Sequence, residues 1–389
     1  MTVSGFARPR YESVFEAFER NLASGSETGA AFTAIRDGEE IVSCWGGLAD
    51  DPQGRRWTED TLAVIFSGTK GLLAACVLLL IDRGLLDIEA PVCRYWPQFA
   101  VNGKSAIRVR DCLSHTARLP GITQPVTVTE ITDSAHMAHL LAGQAPSSDP
   151  RAALAYHPLT FGWICDELIR RVDGRSAGEF FAGEFASAMS LDIWIGLPAD
   201  LEQRVCRLEL HPSWPADAEA SPQSHDPLWR AINANPPVFD RKHFPWNSSL
   251  YHAAGIPSAG GIVSAQSMAQ FYAHLPEMLS PQALRVARTP LATGISALTG
   301  EKMRFSVGFQ LQVGDRFGPA SEAFGHGGAG GSLHGAWPEQ RIAFSYVTNL
   351  LRDDDRANER AHSVLRALCS AARLDSGGPV QDRGEGPRE

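Results

Sequence analysis

The stretch Thr61-Leu62-Ala63-Val64-Ile65-Phe66-Ser67-Gly68-Thr69-Lys70-Gly71-Leu72-Leu73 sets a serine and a lysine three positions apart at the head of an apolar run. The run continues to Leu80-Ile81 and meets Gly84, which predicts a buried helix over 67–83 with the glycine just past its end. Residues i and i+3 of a helix share a face, about 4.5 Å apart along the axis, so the two side chains can meet. The serine then lies in the first turn, where unpaired N–H groups and the dipole favour developing negative charge. A free lysine is neutral in under about one part in a thousand at pH 7. It serves as a base only when desolvated or set near another cation; a shift of about three units costs about 4 kcal/mol. Gly71-Leu72-Leu73-Ala74 supplies an apolar setting. Read alone, the pair is equally an N-cap serine followed by a solvated lysine.

The remaining composition narrows the class. The chain has 389 residues, 44% hydrophobic and 20% charged, which suits a globular protein with a core of enzyme size. Its net charge of -9 argues against nucleic acid and against an anionic membrane surface, since phosphate binding needs a basic face. Seven cysteines without a C-x-x-C pair give neither a disulfide framework nor a zinc ribbon, and free thiols fit a reducing cytoplasm. The opening Met1-Thr2-Val3-Ser4-Gly5-Phe6 has no signal-like apolar core. The longest apolar run, Leu72 to Ile81, is about half of what a bilayer requires.

Outward from the serine, the pattern is strands at both ends and helices between. Val14, Phe15, Phe18 and Leu22 predict an amphipathic helix over 11–24. Two apolar stretches, Ala31–Ile35 and Ile41–Trp45, flank Asp37-Gly38 and predict a hairpin. Helices are expected at 161–172, 264–275 and 355–373, and strands at 304–313, 331–337 and 342–348. Segment 210–250, with Trp214, Trp229, Phe239, Phe244 and Trp246, predicts a loop-rich cap. The expectation is α+β: an antiparallel sheet flanked by helices, with a mostly helical inserted region. It is one catalytic unit over 1–374, with its α/β part at about 10–85 and 262–374, its helical and loop part at 86–261, and a disordered tail at 375–389.

With the serine–lysine pair in place, the chain resembles the serine beta-lactamase and penicillin-binding-protein superfamily, and within it the family VIII carboxylesterases. The likeness spans about residues 10–372. Besides the nucleophile block it rests on Leu80-Ile81-Asp82-Arg83-Gly84-Leu85, Val109-Arg110-Asp111-Cys112-Leu113-Ser114-His115-Thr116 with Leu119-Pro120, and Ile256-Pro257-Ser258-Ala259-Gly260-Gly261, in that order. The resemblance implies a beta-lactamase-like fold, with Ser67 as nucleophile, Lys70 as base and Tyr156 of Tyr156-His157-Pro158 as third partner. A phenol beside a cationic lysine can be drawn toward phenolate and shuttle a proton. Pro158 stands where the family's motif has asparagine, and His326-Gly327-Gly328 stands in place of K-T-G. The amide and the fixed cation that suit lactams and D-Ala-D-Ala peptides are both missing, which favours esters. His326 is expected neutral at pH 7, able to donate a hydrogen bond to substrate. The same mapping implies an oxyanion hole from the N–H groups of Ser67 and Ala329. Gly327, Gly328 and Trp246 complete the expected substrate contacts.

Other signals are weaker. No G-x-S-x-G elbow occurs. Gly325-His326-Gly327-Gly328-Ala329-Gly330 matches a dinucleotide loop in letters, but a strand pattern follows where a helix should open. His326 and His334 have no metal spacing, and the resemblance implies that His115 is structural. The expectation is thus a cytoplasmic serine hydrolase of small-molecule esters, of short or medium acyl length, with no cofactor or metal. Its rivals are a beta-lactamase or D-Ala-D-Ala peptidase, an acyltransferase, and an inactive scaffold on the same fold. Oligomeric state leaves no signature.

Overall fold

The structure, a computed structural model, describes residues 2–354 and 356–373. The tail expected at 375–389 lies outside the described residues. Nine strands form the spine: β1 (Val3–Ala7), β2 (Gly29–Arg36), β3 (Glu39–Asp50), β4 (Ala292–Ile295), β5 (Lys302–Phe305), β6 (Gln310–Leu311), β7 (Phe324–Gly327), β8 (Leu333–Trp337) and β9 (Ile342–Thr348). They pair in the order β1-β3-β2-β9-β8-β7-β6-β5-β4, antiparallel throughout, with the short strand Arg55–Arg56 added to β3. The two ends of the chain therefore meet at the β2–β9 pair, where Phe32 faces Tyr346. The expected hairpin forms at Asp37-Gly38, both in left-handed conformation (φ 54° and 79°), as the twist of a two-residue turn requires.

Side chains alternate between two cores. On β9, Ile342, Phe344 and Tyr346 join Val14, Phe18 and Leu22 of α1 (Glu12–Ala23) and Leu365 and Leu368 of α5 (Arg356–Arg373). Ala343 and Val347 face the opposite side and join the larger core. That core holds α2 (Thr69–Asp82), α3 (Thr160–Asp173) and α4 (Ala265–Met278). From Leu72 through Leu80 every residue of α2 is buried, so its sequence is apolar on all sides rather than striped.

Three differences from the sequence reading have physical causes. The strand expected at 304–313 is split, because Gly308 (φ 81°) bends the chain and drives Val307 and Phe309 into the core. A Cβ on Gly308 would lie 2.9 Å from the Phe161 ring. Strand β1 goes unseen in the sequence because it is a largely exposed edge with a glycine in its middle. The helix holding the serine begins as a 3-10 turn, Phe66–Gly68, before α2 proper. In such a turn i and i+3 eclipse, which brings Ser67 and Lys70 closer to alignment.

Candidate active site

The lead-in to Ser67 is held by strand pairing: Ala63 and Val64 pair with Val263 and Ile262, just after the turn at 256–260. Phe66 then adopts φ 45°, a strained conformation for a bulky residue. Its ring is fixed by Trp246 and Phe239, with centroids at 5.2 and 5.9 Å. Thr69 locks the turn by donating its hydroxyl to the Phe66 carbonyl (2.6 Å) and accepting from the Gly261 N–H (2.8 Å).

Lys70 is fully buried, and no carboxylate pairs with it among the described residues. Burial pushes its ammonium well below the ordinary lysine value. Nζ lies 3.1 Å from Ser67 Oγ, 2.7 Å from the Pro158 carbonyl and 3.1 Å from the Ser258 carbonyl. Carbonyls only accept. A neutral amine has two N–H donors and one lone pair, so giving both donors to the carbonyls leaves the lone pair for the Ser67 hydroxyl. The Ser258 carbonyl is itself positioned, because Ser258 Oγ accepts from the Gly162 N–H (2.6 Å) and donates to the Leu159 carbonyl (2.9 Å). A side chain at Gly162 would collide with the Ser258 backbone, at 2.3 Å.

The Tyr156 ring lies over Lys70, with Nζ 5.0 Å from its centroid. Its hydroxyl is buried and makes no well-formed hydrogen bond; burial raises its pKa, with the nearby Ser67 hydroxyl and the Arg316 charge pulling the other way. The expected drift toward phenolate is therefore reversed: burial outweighs both influences and keeps Tyr156 a neutral phenol.

His326 departs from expectation more strongly. It is fully buried behind Tyr156, with ring centroids 6.2 Å apart, and does not line the cavity beside Ser67. Burial, then the nearby Lys70, push its pKa well down. Nδ1 lies 2.7 Å from the Gly327 carbonyl and so carries the proton, leaving Nε2 as a bare, unpartnered acceptor. It offers substrate neither a cation nor a donor. Trp246 is likewise corrected. It is 1% exposed, its indole N–H is spent on the Val238 carbonyl (2.7 Å), and it supports Phe66 instead of touching substrate.

A cavity of about 930 Å³ opens over Ser67 and Tyr156. Gly327, Gly328 and Ala329 line it as expected. Gly328 packs onto the nucleophile's own strand, where a Cβ would lie 2.2 Å from the Ile65 carbonyl. The N–H groups of Gly327 and Gly328 are spent on Gln310 Oε1 (3.1 Å) and the Ser332 carbonyl (2.9 Å), whereas those of Ser67 and Ala329 have no acceptor among the described residues. From the aromatic segment 214–251, Trp229 and Ile232 reach the cavity beside Gln223 and Asn233. Their short helix is pinned by Asp226, which caps it and binds Arg151 at 2.5 and 3.0 Å. Sequence reasoning missed Ser258 and Pro158 as partners of Lys70, because both act through backbone carbonyls that carry no residue-type signal. His115 is buried, with its ring 4.7 Å from that of Tyr156 and its Nδ1 accepting from the His157 N–H (3.1 Å), a packing role.

Comparison with known proteins gives the family of the chain. The chain is 32% identical to the esterase/beta-lactamase LipL of Mycobacterium tuberculosis, covering 97% of this chain and 91% of that protein. A solved family VIII carboxylesterase superposes with a TM-score of 0.85 at 31% identity, covering 95% of this chain and all of that one. A penicillin-binding-protein homologue from Caulobacter crescentus gives the same TM-score at 29% identity, with coverage of 95% and 100%. The beta-lactamase family model matches residues 14–368, so the chain belongs to the beta-lactamase family, with esterases among its relatives.

Proposed function

We propose that this protein hydrolyses short- to medium-chain carboxylic esters through an acyl-enzyme on Ser67. The observation that carries the reading is the environment of Lys70 Nζ, where two carbonyls and one hydroxyl leave a neutral amine's lone pair to Ser67. Ser67 Oγ attacks the ester carbonyl carbon as its proton passes to Lys70. The N–H groups of Ser67 and Ala329 hold the oxyanion. Collapse breaks the bond to the alcohol oxygen, which takes the proton from Lys70 through the neutral Tyr156 phenol. Water then attacks the acyl group and gives its proton to the same lysine; the bond to Ser67 Oγ breaks, and Oγ takes that proton back as the acid leaves. No cofactor enters these steps.

Esters are favoured over lactams by what stands at Pro158 and His326: no side-chain amide and no cation. Lactam hydrolysis is the second reading, supported by the esterase/beta-lactamase relative. The cysteines form no disulfide among the described residues, which suits the proposed reducing cytoplasm. The test is turnover of 4-nitrophenyl acetate, 4-nitrophenyl butyrate and nitrocefin by wild type, Ser67→Ala and Lys70→Ala. Ester turnover that survives Ser67→Ala sinks the mechanism. Fast nitrocefin turnover with poor ester turnover moves the assignment to a lactamase. Inactivity throughout, with no acyl adduct on Ser67 by mass spectrometry, makes the protein a scaffold.

A further inference from the structure

The cavity over Ser67 carries an unspent cation. Arg316 lines it together with Ser67, Tyr156 and Ala329. Among the described residues its guanidinium makes no hydrogen bond and no ion pair, although the carboxylates of Glu301, Asp315 and Glu359 border the same cavity. The neighbouring cations differ. Arg366 is tied to Glu359, and Arg304 contacts the Gln312 carbonyl at 3.5 Å. Lys302 is exposed.

The backbone that presents Arg316 is fixed. Its carbonyl accepts from His362 Nε2 at 2.9 Å, and its N–H donates to the Val313 carbonyl at 3.3 Å. The next residue, Phe317, is fully buried, donates its N–H to Gln312 Oε1 (3.0 Å), and accepts from the Trp337 indole at 2.6 Å. Gln312 also binds the Gly318 carbonyl. A guanidinium on an anchored loop loses little freedom on binding an anion, and its planar fork matches a carboxylate. Its charge is felt at the reaction centre, since it opposes the effect of burial on Tyr156 and adds to that on His326. The strand position where a lysine would stand holds a neutral histidine with no free donor, and Arg316 supplies a positive charge on the cavity wall instead.

We infer that Arg316 selects esters bearing a carboxylate some way from the scissile carbonyl, such as monoesters of short dicarboxylic acids. The inference rests on the proposed ester hydrolysis and narrows its substrate class. Arg316 acts as a specificity residue that holds the anion, with Ser67 performing the chemistry.

The test compares mono-(4-nitrophenyl) glutarate with 4-nitrophenyl pentanoate, which match in chain length and differ by one carboxylate. Substrate selectivity is the ratio of their kcat/KM values. In Arg316→Gln the ratio of anionic to neutral ester falls roughly tenfold or more, through KM for the anionic ester. Arg316→Glu lowers it further and Arg316→Lys recovers part. An unchanged ratio in Arg316→Gln, or a parallel loss on both esters, overturns the inference while leaving ester hydrolysis in place. If neither ester is hydrolysed, the proposed function fails and calorimetry with monomethyl glutarate decides the anion site separately. Binding to wild type that is lost in Arg316→Gln supports it; equal or absent binding overturns it.

Discussion

The ring of Trp246 meets the ring of Phe66 edge-on at 5.2 Å, and Phe66 is the strained residue immediately before Ser67. A tryptophan far along the chain thus holds the nucleophile's backbone from behind. Trp246→Ala opens a cavity under Phe66 and orphans the Val238 carbonyl, costing about 3–5 kcal/mol in stability. Its kinetic signature is a fall in kcat with little change in preference among acyl lengths. A selective rise in KM for longer acyl groups would instead place Trp246 on the substrate.

Gly328→Ala tests how the oxyanion donors are brought together. The added methyl would lie 2.2 Å from the Ile65 carbonyl and 2.3 Å from Ser332 Oγ, so β7's end must move off the nucleophile strand. An ångström of displacement in such a site costs on the order of a hundredfold in kcat. Normal ester turnover by a stably folded Gly328→Ala protein would show that Ala329 is not an oxyanion donor.

Lys70 should titrate as a base with a depressed pKa. It acts when neutral, so kcat/KM rises with pH as it loses its proton, on a limb below the ordinary value of 10.5. Lys70→Arg keeps a permanent cation and should lose roughly 10²–10⁴ in kcat. A pH–rate profile for 4-nitrophenyl butyrate decides this; a rising limb at the ordinary lysine value would contradict it.

Buried histidines should make the fold acid-sensitive. Burial lowers His157 to about 4 and His334 to about 3 from an ordinary 6.5. Above 6.5 both are neutral in either state and cost nothing. As pH falls below 6.5 the unfolded chain takes up protons first, so stability declines until the folded pKa values are reached. The His157 shift alone corresponds to roughly 3 kcal/mol across that window. Urea midpoints should therefore drop between about pH 6.5 and 4.5, above the range where most carboxylates titrate. A flat profile there would show that these groups are solvated.

Gly162→Ala probes the support of the base. Its methyl would strike the Ser258 backbone at 2.3 Å and break the Gly162 N–H bond to Ser258 Oγ. Displacing the Ser258 carbonyl removes one acceptor that aims Lys70. A further lowered pKa on the kcat/KM profile is the expected readout, because the carbonyl dipole stabilises the ammonium, with loss of about tenfold or more in rate at neutral pH from the misaimed amine. An unshifted profile would mean that Pro158 alone aims the amine.

Local rules made much of this protein legible. The buried helix and its stop at Gly84, the Asp37-Gly38 hairpin, the α1 stripe and strand β9 all express short-range preferences of residue type and period. The spacing of Ser67 and Lys70 likewise defines their contact, because one helical turn is a local geometry. The roles of Trp246 and His326 were misread because residue type says what a side chain could do and not which way it faces. An indole can line a pocket or brace a backbone. An imidazole can donate or be capped by its neighbour's carbonyl, as His326 is by Gly327.

The sequence by itself determined the α+β pattern, the serine–lysine pair and the family likeness. Tertiary structure decided that Lys70 is stripped of water, that carbonyls at Pro158 and Ser258 aim it, and that Arg316 lines the cavity at Ser67 with no ion pair among the described residues. Each of these depends on backbone atoms or on burial produced by segments distant in the chain. Backbone carbonyls are the same at every position in the sequence, and only folding gives two of them a direction.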